Sequence, residues 1–266
     1  MLITSAQNPR VKQVLRLRDR RHRQRDGLML VEGASELSLA LAGGARPQTV
    51  YFCPALAGQL GNAGLLARAQ QAGAELVEVS QAVFDRMAYR ENPDGWLAVL
   101  PALRRGLDDL PGAPGPALIV VAEAIEKPGN LGALLRSADA AAVTGVIVCD
   151  PTTDLYNPNV VRSSRGTLFT VPLAEATAPE TLAWLRARQI SVVATSPQAS
   201  LAYTDADLRG PVAIVVGAED TGLSTDWLEQ ADLSLRIPML GKVNSLNVAT
   251  AATLLLYEAR RQRGQS

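Results

Sequence analysis

Aromatic side chains are scarce, at 4% of the 266 residues, so burial must rest on leucine, valine, isoleucine and alanine. Cysteine is limited to Cys53 and Cys149, far apart and both in strand-like contexts. They read as buried thiols of a reducing cytoplasm, with a disulfide as the alternative. The one histidine, His22, stands among arginines. A metal cluster or a Ser-His-Asp triad cannot be assembled from this set, so no metal is expected. No apolar run reaches the roughly 18 residues of a membrane span. The first ten residues lack the apolar core and cleavage site of a secretion signal. The expectation is a cytoplasmic protein with no membrane partner.

Net charge is absent too, with 26 basic and 26 acidic residues, but the balance is uneven. Arg10, Lys12, Arg16, Arg18, Arg20, Arg21, Arg23 and Arg25 place eight bases against one acid, Asp19, within sixteen residues. The remainder is acidic, with 18 bases and 25 acids. Val11, Val14 and Leu15 give this stretch a helical apolar stripe. The arginines can be a solvated helix face or a grip on a polyanion. Their density favours nucleic-acid contact, mostly with phosphates.

Hydrophobic residues make up 47%, enough for one large domain or two modest ones. Strand-like runs at 28–31, 49–53, 76–79 and 96–100 alternate with helical ones, which predicts a small α/β domain over 1–103. Residues 104–116 have the proline and glycine content of a linker. Residues 117–266 repeat the alternation, with strands expected at 117–122, 146–149, 167–171, 190–194, 212–216 and 233–237. A final helix is expected from near Ser245 to about Arg263. In open parallel sheets, ligands sit beyond the carboxyl ends of strands. The loops after Ala122, Val216 and Ile237 therefore qualify.

The first of these loops opens Pro128-Gly129-Asn130-Leu131-Gly132, with Leu131, Leu134, Leu135 and Ala138 on one helical face. Asn130 is placed to cap this helix, and Arg136 leans back over Gly132 toward the free amides of its start. An anion such as phosphate suits that place. A plain cap and a solvated arginine remain the alternative. Gly217 to Gly222 has the spacing of a phosphate loop but continues with Leu223, not lysine, so an ATP-binding loop is disfavoured. Glu219 within it reads as a solvated carboxylate or an anchor. In the third segment Ser245 is a natural cap, Asn247 falls in the first turn, and the helix beyond is apolar nearly all round. A partner subunit is a reasonable cover for it.

The three segments together resemble the SpoU (TrmH-type) group of the SPOUT RNA methyltransferases. Asn130-x-Gly132-x-x-x-Arg136 is similar to its first motif, and Val216-Gly217-x-Glu219-x-x-Gly222-Leu223-Ser224 to its second. Ile237-Pro238-Met239 with Asn244-Ser245-Leu246-Asn247-Val248 is similar to its third. The first domain resembles the ribosomal-protein-like substrate-binding domain often fused ahead of this fold. The resemblance implies a parallel-sheet α/β domain with a C-terminal trefoil knot, a homodimer formed through it, and an S-adenosylmethionine site. It implies transfer of methyl to a ribose 2′-hydroxyl of structured RNA, ribosomal rather than transfer RNA. Asn130, Arg136, Glu219, Ser245 and Asn247 would be the catalytic set. Thr195, Gly217, Ile237, Met239 and Leu246 would hold the cofactor. The sequence departs from the family at Ala249, often serine, at Asp220, often glycine, and at Ala140 to Ala142, where an aromatic-glycine pair is common. The alternative from another class is a non-catalytic RNA-binding protein that retains the fold.

Overall fold

The computed structural model describes residues 2–58, 62–112 and 114–264. They form two compact units. The first takes in residues 1–104 and also 154–170; the second takes in 105–153 and 171–266.

The first unit is a five-stranded mixed sheet built from β1 (Leu2–Ile3), β2 (Leu28–Glu32), β3 (Thr49–Phe52), β4 (Glu75–Val79) and β5 (Trp96–Pro101). Their order is β1-β4-β3-β5-β2, with β5 antiparallel to both neighbours. The basic stretch divides into two helices, Pro9–Arg16 and Arg20–Asp26, opened by the side-chain caps Asn8 and Asp19. Val11, Val14 and Leu17 pack with Phe84, Met87 and Leu97 in one core.

The second unit is a seven-stranded sheet in which every pairing is parallel. Its strands are β6 (Leu118–Glu123), β7 (Gly145–Cys149), β8 (Leu173–Ala176), β9 (Ser191–Thr195), β10 (Leu201–Ala202), β11 (Val212–Val216) and β12 (Leu233–Arg236). The order is β10-β12-β9-β11-β6-β7-β8. Strands β6 and β11 are apolar along almost their whole length because helices cover both sheet faces. Ile119, Val121, Val215 and Trp227 form the centre of one core layer.

The structure departs from the sequence reading at residues 167–171, 105–110 and 154–170. Residues 167–171 are not a strand: Thr167–Phe169 is a 3-10 turn, and the strand begins after Pro172. Gly166 sets this turn with φ of +89°, and a β-carbon there would lie 2.9 Å from Leu39. Residues 105–110 are anchored rather than free. Leu110 is buried in the second unit's core, and the Arg105 carbonyl accepts from the Glu175 amide at 3.0 Å. Residues 154–170, expected within the second domain, pack with the first unit. There Arg23 is 3% exposed, and its Nε donates to Asp154 Oδ2 at 2.9 Å.

Both cysteines are free and buried. Burial, reinforced by Asp150, pushes the Cys149 thiol up to about 12, so it stays protonated and inert. Among the described residues, no helix is long and apolar enough to cross a membrane. No group of three or more His, Cys, Asp or Glu among them could hold a metal ion.

Removing one partner of a buried ion pair strands the other charge. Asp154→Ala should therefore destabilise the protein by about 3 kcal/mol or more. The loss would be read as a lowered urea midpoint. A midpoint equal to wild type would show that Arg23 does not need this carboxylate.

Candidate active site

The helix Pro128–Ala140 starts with proline at its first position, where the missing N–H costs nothing and the fixed φ suits the turn. Lys127 is thus the cap residue. Asn130 stands in the first turn and caps nothing, contrary to expectation. Its side chain is left available. The final helix runs Val248–Gln262, and its cap is Asn247, not Ser245. Asn247 Oδ1 accepts from the Ala249 amide at 3.0 Å.

That cap fixes a polarity. A backbone N–H only donates, so the Asn247 oxygen faces the helix and its Nδ2 faces away. Nδ2 donates to Asn130 Oδ1 at 2.9 Å. With its oxygen engaged, Asn130 turns its own Nδ2 to Glu219 Oε1, to which it donates. One directed chain therefore runs from the last helix through Asn247 and Asn130 to Glu219. Glu219 Oε2 is buried and without a partner. Buried polar atoms are normally satisfied, so an orphan oxygen marks a place where a donor or cation is missing.

Glu219 lines a cavity of about 330 Å³ at the carboxyl ends of β9, β11 and β12. This is within the size range of small-molecule sites. Thr195, Gly217, Ile237, Met239, Ser245 and Leu246 line it as well. Sequence reasoning assigned no site role to Val248 and Ala251, which also line it. Their apolar character matched a core helix, and only the position of the helix start brings them to the wall. Gly217 is required by a close approach: a β-carbon there would stand 2.3 Å from the Gly222 carbonyl. The loop is closed by the Gly222 amide on Ala218 O at 2.9 Å. It is tied down by the Ser224 amide, which donates to the buried Glu123 carboxylate at 2.9 Å. Thr195 spends its hydroxyl proton on Val215 O at 2.9 Å. It therefore meets a ligand with its methyl or lone pairs.

Arg136 lies six residues beyond Asn130, about 9 Å along the same helix. It is exposed and does not line the cavity. The structure thus joins Asn130, Glu219 and Asn247 directly, places Ser245 on the cavity wall, and leaves Arg136 outside it. Next to Arg136, Ser137 Oγ donates to Thr253 Oγ1 at 2.6 Å, since the Thr253 proton is taken by the Ala249 carbonyl, and the pair pins the first-motif helix to the final helix.

The basic stretch is less available than its sequence suggests. Arg23 is buried on Asp154 and on the carbonyls of Leu17 and Arg18, so its expected RNA contact is withdrawn. Arg18 donates to the carbonyls of Arg86 and Ala88 at 2.9 and 2.7 Å. Arg10 pairs with Glu75 and Arg25 with Asp26. Lys12, Arg16, Arg20 and Arg21 remain exposed.

The family model for the SpoU rRNA methylases matches residues 117–257. One for the MRM3-like substrate binding domain matches residues 8–98. The 23S rRNA (guanosine-2′-O-)-methyltransferase RlmB of Bordetella pertussis is 37% identical over 202 residues, covering 74% of this chain and 82% of its own. A solved RNA 2′-O ribose methyltransferase is 43% identical with a TM-score of 0.82, over 99% of both chains. The AdoMet-bound rRNA methyltransferase of Sinorhizobium meliloti is 30% identical with a TM-score of 0.89, over 98% of this chain and 97% of its own. The motif order, the parallel sheet and these matches together place the chain in the SpoU rRNA methylase family.

Proposed function

We propose that this chain transfers the methyl group of S-adenosylmethionine to a ribose 2′-hydroxyl of ribosomal RNA. The observation that carries the reading is the directed chain Asn247–Asn130–Glu219 ending at a nucleoside-sized cavity. The residues suit the cofactor. The orphan Glu219 oxygen offers a carboxylate to a cationic ligand. The loop at Gly217 folds back onto the Gly222 carbonyl, where a β-carbon could not fit, and so keeps its shape at the cavity wall. Thr195, Gly217, Ile237, Met239 and Leu246 would hold it. Bound there, S-adenosylmethionine supplies an electrophilic methyl carbon on a sulfonium.

The chain's own work is alignment and proton management. Asn130 and Asn247 are rigid because each is held at both ends of its amide. They present a fixed edge to the ribose beside the cavity, and Ser245 adds a hydroxyl. A guanidinium carries donors and no acceptor, so Arg136 is not the base. It grips the phosphate beside the target ribose with two parallel N–H groups, and that phosphate oxygen takes the 2′-hydroxyl proton. Lys12, Arg16, Arg20 and Arg21 hold more distant phosphates.

A second copy of the chain belongs to this reading. Leu254 and Tyr257 leave 36% and 51% of their surface open on a helix that is otherwise core-like. Docking of two copies through the C-terminal unit covers them. A trefoil knot in this unit and a cytoplasmic location accompany the same reading.

Isothermal titration with S-adenosylmethionine tests the cofactor site: binding heat is expected. Its absence would favour the non-catalytic RNA-binding alternative. Mapping 2′-O-methyl positions in ribosomal RNA from cells with and without the gene then identifies the target. Arg136→Ala should abolish methyl transfer while leaving cofactor affinity near wild type, and unchanged turnover would remove Arg136 from catalysis.

Asn247→Asp is more selective. Aspartate keeps the helix cap but has no N–H for Asn130. Transfer should fall about tenfold, the scale of one lost hydrogen bond, with the melting temperature preserved. A wild-type rate of radiolabelled methyl incorporation would refute the directed chain.

A further inference from the structure

We propose that Tyr89 and Arg162 form a stacking platform on the first unit for an unstacked RNA base and its phosphate. The proposal rests on the RNA reading above and specifies how this unit holds its substrate. It joins a residue of the substrate-binding family match to one contributed by the 154–170 segment, far away in sequence.

The chain has 11 aromatic residues, and five of them, Tyr51, Phe84, Trp96, Phe169 and Trp227, sit in cores at no more than 2% exposure. Tyr89 differs, with 40% of its surface open. It lies in the irregular stretch between the helix Gln81–Met87 and β5. Such a stretch could be mobile, yet this one is clamped. The Tyr89 amide donates to Glu32 Oε2 at 2.8 Å and the Arg90 amide to Glu32 Oε1 at 3.3 Å. The Arg90 guanidinium donates to Glu32 O at 2.7 Å and to buried Glu36 at 2.5 Å. The phenol oxygen accepts from Asn159 Nδ2 at 2.9 Å. The ring is thus fixed at both ends and open at its side. Pre-organisation of this kind cuts the entropy cost of binding.

Arg162 follows Asn159 by three residues on the helix Pro158–Ser163, so the two share a helix face. It is exposed and makes no ion pair among the described residues. It shares a crevice with Tyr89. Glu32 lines this crevice also, but both its oxygens accept backbone amides. The crevice holds about 10 Å³, roughly a single water, so a base cannot enter it. The base must lie on the rim, against the ring face, with the guanidinium left for phosphate. An aromatic ring beside an arginine is how proteins take hold of single-stranded RNA.

The competing role for Tyr89 is structural, as a peg that holds the 154–170 segment by its hydroxyl. The two roles separate by substitution. Tyr89→Phe deletes the peg and keeps the ring; Tyr89→Ala deletes both. Binding of the full-length protein to a short single-stranded oligoribonucleotide containing 2-aminopurine is measured by anisotropy and by fluorescence quenching, with an RNA duplex as the comparison. Tyr89→Ala should weaken single-strand binding about tenfold and abolish quenching, as expected for one lost base stack. Tyr89→Phe should retain both, Arg162→Ala should lower affinity but keep the quenching, and duplex binding should not change. Quenching that survives in Tyr89→Ala, or is lost equally in Tyr89→Phe, would overturn the proposal. The assay contains no methyl donor, so it decides the platform whatever the methyl-transfer experiments give.

Discussion

A helix amide can donate a hydrogen bond but never accept one, and at Ala249 this restriction organises the site. It orients the Asn247 amide, which orients Asn130, which engages one oxygen of Glu219 and leaves the other facing no partner. Three side chains are held without a single ion pair between them. Amides suit the task because each carries a donor and an acceptor at opposite sides of one rigid group. Such a chain transmits direction, whereas hydroxyls, which rotate, would not.

The parallel sheet makes the convergence possible. Asn130 and Glu219 are 89 positions apart in sequence, and Asn130 and Asn247 are 117 apart. Strands β11 and β6 are direct neighbours, so the loops that leave their carboxyl ends emerge side by side. Strands β9 and β12 complete the same edge and bring Thr195 and Ile237 to the cavity. The final helix closes the arrangement by packing against the first-motif helix through the Thr253–Ser137 hydroxyl pair. The Glu123 carboxylate, buried at the end of β6, holds the intervening loop by the Ser224 amide.

Much of this was legible in the sequence because the parallel strands are unbroken apolar runs and the loops carry glycine and asparagine at fixed offsets. The errors have local causes. Asn130 resembled a cap because asparagine usually is one, but Pro128 had already opened the helix. Ser245 lost the cap to Asn247 for the converse reason: two good candidates stand two residues apart, and sequence does not rank them. Residues 167–171 carry strand-like composition, yet Gly166 turns the backbone and Pro172 postpones the strand. The role of Arg23 could not be read at all, since its counter-charge is 131 positions away. Leu110 was hidden by the prolines and glycines around it, which describe how the chain bends and not what it buries.

The excursion of residues 154–170 has a consequence for how such a protein can change over time. The unit that carries the basic helices is not a contiguous cassette; it borrows a counter-ion, a short helix and a tight turn from the middle of the catalytic sequence. A recombination that replaced everything before residue 104 would leave that borrowed piece facing a surface it was not shaped for. The two halves are obliged to co-evolve, and a transplant succeeds only if the loop between β7 and β8 travels with the front of the chain.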